Sequence, residues 1–524
     1  MEKVVILFPV QNAGPLARKT LEALKGQTLK EWKCYLLDQG QQGETVRMLL
    51  AELADERFTQ GPEGLITLAK MMNWALGNTE AQYILPLPEG VILESHALER
   101  FVNFLDTNPQ AAVAYSCYAQ SKADATKEKV QLYPHEGCIH ERFDFGYLKL
   151  YRAAYLHKIG GFREDLVHAA EYDVDLKLGD DYTLELLDEV LYTVGTPEQQ
   201  ESAPGALHSP GKGKYGGFSY VFYPPDVEKE VTTVFEDMLK RRGAYIDHET
   251  VPVPYPKEPY PVMASVVIPV LNRAKYIGNA IERVLEQTFQ DFEVIVVDNG
   301  STDGTVEIVQ EYAKKDPRVR LIRGTGNCIA SALNDGIRAA RGKYICQLDS
   351  DDEYVPTTLE KMIAHLESHP KCGLAISYYE LMDENRNTIK DVPPVTHKGY
   401  TRNQILRRDG AGALRVFPKV VLEEMGLYDE KNYGNFGEDY DMVLKVGEKY
   451  DVDRVHEVLY RYRRHSDNTD VTRDPLMKVR NKNNARLAAV RRRQEINRKL
   501  GKLPPHIAEK LDREKAKEAP AAHT

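Results

Sequence analysis

The sequence predicts an α/β protein built from two tandem, mostly parallel sheet domains and a helical carboxyl-terminal tail, and three observations carry that expectation. The first is an internal repeat, which defines architecture before any single motif is read. VVILFPVQNAGPLARKTLEALKGQTLKEWKCYLLDQGQQGET near the start returns as VVIPVLNRAKYIGNAIERVLEQTFQDFEVIVVDNGSTDGT. Pro9 and Asn12 return as Pro269 and Asn272, and Asp38 as Asp298, at a shift of 260. Asn73 and Tyr83 return as Asn334 and Tyr344 at 261, and EYDVDLKLGDDYTLELLDEVLYTV returns as DYDMVLKVGEKYDVDRVHEVLYRY at 268. The second observation is alternation. Short β-branched runs (Val266 to Val270, Val294 to Val297, Tyr344 to Leu348) are separated by helical patterns (Ile277 to Gln287, Val306 to Lys314, Ile329 to Ala340), the order that gives a parallel sheet with helices on both faces. The third is length: 524 residues exceed what one core supports.

The elements then follow in order. Residues 1–205 are the first copy. Residues 206–262 read as a linker: Gly and Pro crowd SAPGALHSPGKGKYGGFSYVFYPP, a helix is expected over Asp226 to Arg242, and VPVPYPKEPYP is extended. Residues 263–470 are the second copy. From 471 to 524, LMKVRNKNNARLAAVRRRQEINRKL is one basic helix, and KLDREKAKEAPAAHT is a frayed tail.

Bulk properties exclude some classes. A net charge of -10 argues against nucleic acid as the main partner. Six cysteines without a CxxC pair suit a reduced intracellular chain. MEKVVILFPVQNAG is too short an apolar run for a signal peptide, and no stretch of about 18 apolar residues follows, so a cytoplasmic protein is expected. The basic segment Arg473 to Lys499 either touches anionic lipid at the inner face of a membrane or packs on its own domain.

Ligands on such sheets bind outside the carboxyl ends of the strands, so the residues ending the strands carry the chemistry. LDSDD places Asp349, Asp351 and Asp352 directly after a strand; the cluster is a solvated acidic turn or a site for a hard divalent cation, Mg or Mn, shared with a diphosphate. Asp298 ends another strand and can accept hydrogen bonds from a base or ribose, while Asn299, Ser301, Asp303 and Gly304 form a tight turn. Glu438 and Asp439 precede an apolar helical pattern and either cap that helix or supply a general base for an acceptor hydroxyl. His465, in RYRRHSDN, suits a divalent metal, and Arg461, Arg463 and Arg464 can offset phosphate charge. Tyr428, Tyr433 and Tyr440 either stack on sugar rings or pack internally. RGTGNCIA lacks the third glycine of a GxGxxG loop, and GKGKYGG has no Walker pattern.

The ordered set VVIPVLN, VVDNGSTDGT, ALNDGIRAARGKYICQLDSDD, GLYDE, GEDYDM and YRYRRH, from Ser265 to about Ser466, resembles the family 2 glycosyltransferases of the GT-A fold, a Rossmann-like nucleotide-diphospho-sugar transferase architecture. The resemblance implies an inverting transfer of a sugar from a nucleoside-diphosphate donor, UDP being commonest, to an acceptor hydroxyl in surface polysaccharide or glycoconjugate synthesis of bacterial type. It implies Pro269, Asn272, Asp298, Ser301, Asn334, Asp349 and Ser350 as donor contacts, Asp349, Asp351 and His465 around the metal, Asp439 as base and Glu438 as its helper. Lys445 stands where that family commonly has Arg.

The first copy resembles the same fold without the chemistry. Pro88 and Gly90 take the positions of Asp349 and Asp351, Ala170-Glu171 replaces Glu438-Asp439, and LYTVGT replaces LYRYRRH. The expectation is a non-catalytic domain used for packing, homodimer formation or acceptor binding, with a glycan, lipid-linked or protein acceptor. Rival readings are a two-site polysaccharide synthase, a sugar-nucleotidyltransferase, which would open with a Gly-rich loop where this chain has PVLNRAKY, and a non-enzymatic carbohydrate-binding protein.

Overall fold

The computed structural model describes residues 2–11, 14–38, 43–122, 124, 126–195, 223–390, 392–396, 401–408 and 412–518. Asn12 and the GKGKYGG segment lie outside the described residues. The described chain divides into two compact units, one up to Arg241 and one from Arg242.

The first unit holds strands β1 (Val4–Val10), β2 (Trp32–Asp38), β3 (Phe58–Gln60), β4 (Tyr83–Pro86), β5 (Val91–Leu93), β6 (Ala111–Ser121), β7 (Lys127–Val130), β8 (Lys149–Arg152) and β9 (Thr183–Val194). The second holds β10 (Val262–Val270), β11 (Phe292–Asp298), β12 (Val319–Arg323), β13 (Gly342–Gln347), β14 (Glu353–Tyr354), β15 (Cys372–Met382), β16 (Arg415–Pro418) and β17 (Asp451–Arg463). The first sheet runs β3-β2-β1-β4-β8-β6-β9-β5, with β7 added on β6; the second runs β12-β11-β10-β13-β16-β15-β17-β14. Strand for strand the two orders are the same. Register repeats as well: Val4 to Val10 pair with Trp32 to Asp38, and Ala264 to Val270 pair with Phe292 to Asp298. Even the irregularities recur, since the slips at Ala111/Val113 and Ser116/Cys117 reappear at Cys372/Leu374 and Ser377/Tyr378. A bulge at the same place in both copies is a feature of the fold.

In each sheet the first four strands are parallel and the remainder mixed. All seven residues of β11 are buried, and its centre, Val294 to Val297, is apolar throughout because both faces of a parallel sheet are covered. The helix Ile277–Leu285 contributes Ile277, Ala280, Ile281 and Val284 to this core, the spacing of one helical face.

Three expectations about connecting segments change. The helix Pro225–Arg241 belongs to the first compact unit, because the Glu230 carboxylate accepts the backbone N–H groups of Val167, His168 and Ala169 at 3.1, 2.7 and 3.0 Å and so satisfies the start of the helix Ala170–Leu178. The extended VPVPYPKEPYP stretch lies along the second unit, with the Val253 N–H on the Pro370 carbonyl at 2.8 Å. The expected frayed tail is a second helix, Pro505–Glu518, within the described residues.

The basic helix Pro475–Lys499 packs on its own unit. Arg486 donates to the Leu406 carbonyl at 3.0 Å, Arg492 pairs with Asp441 at 3.1 Å and Glu448 at 2.9 Å, and Asn497 donates to the carbonyls of Gly243 and Tyr245, both at 2.9 Å. Arg486 and Arg492 are therefore spent inside the fold, while Arg480, Arg491 and Lys499 are exposed. Among the described residues no helix is long and apolar enough to cross a membrane.

Candidate active site

The strand ends of the second sheet meet in two loops that fasten each other. Asn272 follows β10 with φ +53°, a left-handed conformation that asparagine tolerates. Its N–H donates to Ser301 Oγ at 2.9 Å, and its Oδ1 accepts the Thr302 N–H at 2.8 Å. Asp303 accepts from the Ala274 N–H at 3.0 Å, and the Arg273 N–H donates to Thr305 Oγ1 at 2.9 Å. Asp298, buried at the end of β11, accepts the N–H groups of Gly300 and Ser301, each at 3.1 Å. Pro269 sits opposite Val297 in the same ladder. Pro269, Asn272, Asp298 and Ser301 thus belong to one rigid corner.

Beyond β13 the acidic turn divides its labour. Asp352 and Glu353 face inward. Tyr460 donates its hydroxyl to Asp352 at 2.7 Å and the Arg463 N–H donates to the other oxygen at 2.7 Å, tying the turn to β17. Glu353, fully buried, receives four guanidinium groups: Arg386 at 2.7 Å, Arg463 at 2.8 Å, Arg283 at 3.3 Å and Arg461 at 3.4 Å. Ser350 is buried within the turn. Asp351 contacts His465 Nε2 at 2.8 Å and Arg273 Nε at 3.5 Å. Burial alone would lift the Asp351 carboxyl, but the His465 hydrogen bond and the Arg273 charge outweigh it and hold it below the usual carboxylate range. The His465 ring stacks on Tyr276, centroids 4.9 Å apart, and the Arg463 guanidinium lies over the Tyr276 ring, 5.1 Å from its centre.

Asp349 behaves differently. Burial pushes its carboxyl up to about 7, helped by the charges of Asp351 and Asp439 and opposed by Arg415 and Arg273. The acidic turn and the start of the helix Glu438–Gly447 therefore share one electrostatic field. Gly437 precedes that helix at φ +93°, and a Cβ there would meet Asn481 at 3.3 Å. Asn481, on the basic helix, donates to the Phe436 carbonyl at 2.7 Å and so holds the approach to Glu438. No side chain caps this helix; Asp439 accepts the N–H of the adjacent Tyr440 at 2.7 Å and is ion-paired by Arg415. Glu438 is buried and its carboxyl is raised well above the ordinary value, first by burial and then by Asp439; its Oε2 has no hydrogen-bond partner among the described residues.

Arg415 escaped the sequence reading because LRVFPK carries no motif. It enters through strand pairing: β16 runs antiparallel to β13, with Arg415 opposite Gln347, two residues before Asp349. A signal existed in the repeat. Lys149 holds the equivalent position on β8, and its Nζ lies 2.8 Å from both Glu171 and Asp175, Glu171 being the counterpart of Asp439. The first unit thus keeps a cation and a carboxylate at the base position, with Tyr151 also donating to Glu171 at 2.8 Å. At the place of the acidic turn, the Gly90 N–H donates to Thr20 Oγ1 at 3.0 Å.

Two sets of predicted contacts are reassigned. Asn334 donates to the Tyr428 carbonyl at 2.9 Å and Glu430 at 2.7 Å and accepts the Tyr428 N–H at 2.9 Å, so its amide is spent clamping a loop. Asn73 makes the same clamp on Phe162 and Glu164 in the first unit, which has no acidic turn, so the amide serves the fold in both copies. Tyr428, Tyr433 and Tyr440 are all buried, and Tyr440 donates its hydroxyl to the Leu406 carbonyl at 2.8 Å; they pack internally and offer no ring face to a sugar. Lys445, the departure from the family pattern, pairs with Asp441 at 2.8 Å, as Lys177 does with Asp173 at 2.7 Å.

Asp351 and His465 touch each other and Asp349 feels the charge of Asp351; carboxylate and imidazole groups of this kind suit a divalent cation of the Mn or Mg class, which would offset the burial and the repulsion that lift Asp349.

The fold is a mostly parallel α/β scaffold with the candidate site at its strand ends, and comparison with known proteins gives the family. The model of glycosyl transferase family 2 matches residues 5–164 and 265–426, so the chain belongs to that family, with both copies members. An uncharacterized glycosyltransferase of Methanocaldococcus jannaschii is 33% identical over 209 residues, 38% of this chain and 70% of that protein. An uncharacterized glycosyltransferase of Rickettsia felis is 25% identical over 505 residues, 90% of this chain and 81% of that protein. Among solved structures, S. aureus TarS 1-349 in complex with UDP-GlcNAc is 20% identical at a TM-score of 0.35, over 40% of this chain and 61% of that one.

Proposed function

We propose that the second unit is an inverting glycosyltransferase that moves a sugar from a nucleoside-diphosphate donor, UDP-linked in the simplest case, to an acceptor hydroxyl, and that the first unit is its non-catalytic companion. The observation that carries this reading is the convergence of Asp349, the Asp351–His465 contact and the Arg415–Asp439 pair at one end of one sheet.

In this account the corner of Pro269, Asn272, Asp298 and Ser301 receives the nucleoside, and Ser350 lines the donor side. Asp349, Asp351 and His465 would hold a Mn or Mg ion, which when bound supplies Lewis-acid stabilisation of the departing diphosphate. Asp439 takes the proton from the acceptor hydroxyl as that oxygen attacks the anomeric carbon from the face opposite the leaving group. For this its carboxylate must be aimed, and Arg415 holds it from one side while the Tyr440 N–H fixes the other oxygen. Glu438, buried beside Asp439, helps to orient the acceptor. The first unit has Pro88 and Gly90 at the positions of Asp349 and Asp351 and no counterpart of His465, which supports a role in packing, dimer formation or acceptor binding over a second transfer site.

The test is a panel of nucleotide sugars measured for binding with and without Mn, using the full chain and Asp351→Ala. Metal-dependent binding of at least one donor, lost in Asp351→Ala, is expected. Failure of every donor to bind, or unchanged binding in the variant, would remove the reading.

A further inference from the structure

Away from the strand ends, the helix Thr358–Ser368 brings two histidines together on one face. His365 lies in its last turn and His369 is its C-cap, four residues on, with ring centroids 4.1 Å apart. Asp453, on β17, meets His365 Nε2 at 2.9 Å. One ligand atom from each of the three residues can be chosen so that all lie within 4.8 Å of one another.

His369 is already oriented as a ligand. Its Nδ1 lies 2.8 Å from the His365 carbonyl, and a carbonyl only accepts, so Nδ1 carries the proton and Nε2 keeps the lone pair. The ring is exposed and can move. A tetrahedral zinc with bonds of ~2.0–2.1 Å holds its ligand atoms roughly 3.3 Å apart, so closing the set from within 4.8 Å takes at most about 1.5 Å of approach.

The fold does not need these side chains. In the first unit the matching helix, Ala97–Thr107, packs on β6 and β9 with Phe104, Asn108 and Glu185 at the positions of His365, His369 and Asp453. The same joint therefore forms with neither imidazole.

We infer that His365, His369 and Asp453 form a second metal site, for a borderline divalent cation of the zinc type, with its fourth position open to solvent. Two imidazoles and one carboxylate select such an ion over Mn or Mg, which prefer oxygen. The site is independent of the proposed transfer chemistry.

Zinc alone is titrated into the chelator-stripped full chain against a competing chromophoric indicator. The starting protein is Asp351→Ala, which disables the acidic turn, compared with Asp351→Ala/His369→Ala and Asp351→Ala/Asp453→Asn, each checked for unchanged circular dichroism. The expected result is one zinc per chain in Asp351→Ala and affinity weaker by about tenfold or more in both double variants. Absence of a stoichiometric zinc in Asp351→Ala, or a smaller loss in His369→Ala, whose ring is exposed and outside the core, would overturn the site.

Discussion

Arg415 donates a hydrogen bond to the carboxylate of Asp439, reaching it from the strand that pairs with β13 and linking the helix start to the acidic turn. Lys149 and Glu171 repeat this relationship in the first unit. The two pairs show what the copies share, a cation beside a carboxylate, and what separates them, the acidic turn and the histidine.

Replacing Arg415 should therefore do two things. Arg415→Met leaves Asp439 partly buried and unpaired, at a cost of about 1–3 kcal/mol in urea unfolding, since Asp439 keeps some solvent. Transfer should slow by about tenfold to a hundredfold through misaimed geometry, with donor affinity altered much less. Steady-state kinetics separates the two effects: a change confined to KM for the donor would place Arg415 elsewhere.

Asp439→Asn preserves the shape and removes the base. Donor binding should stay largely intact while transfer falls by about 10²–10⁴-fold. Single-turnover assays with saturating donor measure the chemical step, and equal rates for variant and wild type would eliminate Asp439 from that role.

The clamp made by Asn334 predicts a stability effect without a binding effect. Asn334→Ala leaves the buried Tyr428 N–H and carbonyl unpaired and should cost about 2–4 kcal/mol. Asn73→Ala should destabilise the first unit comparably. Donor affinity of the folded Asn334→Ala protein should match wild type; a selective loss of donor binding would return Asn334 to the site.

Much of this architecture is legible in the sequence, for physical reasons that also explain the gaps. β10, β11 and β13 are covered on both faces, so their apolar runs and the helices between them announce themselves locally. The repeat extends this reading across both copies. Arg415 stays hidden because its meaning arises from antiparallel pairing with β13, a contact far away in sequence. Asn334 misled for the opposite reason. Its recurrence as Asn73 looks like function, yet a side chain retained in a copy that lost its carboxylates marks a structural joint. For the basic helix the sequence leaves two readings open, anionic lipid or its own domain, and Arg486 and Arg492 are bonded to its own domain.

A pH dependence follows from Glu448, at the far end of the helix that carries Asp439. Burial pushes its carboxyl up to about 7, against the opposing charges of Arg492 and Arg493. Because the folded state holds this proton more tightly than the unfolded state, which releases it near 4.5, the resulting stabilisation is full at low pH and is lost as pH rises from 4.5 to about 7. Relative to Glu448→Gln, which stays neutral, wild-type unfolding free energy should fall by up to ~3 kcal/mol between pH 5 and pH 8. Parallel urea-unfolding curves for the two proteins across that range would contradict it.

The central claim, two copies of the fold and one working site, is tested most directly by the stoichiometry of donor binding. Isothermal titration of the full chain with the best-binding nucleotide sugar in Mn should give one site per chain. That site should vanish in Asp351→Ala and persist in Lys149→Met/Glu171→Gln. Two sites per chain, or loss of binding in the Lys149/Glu171 variant with Asp351→Ala unaffected, would contradict it.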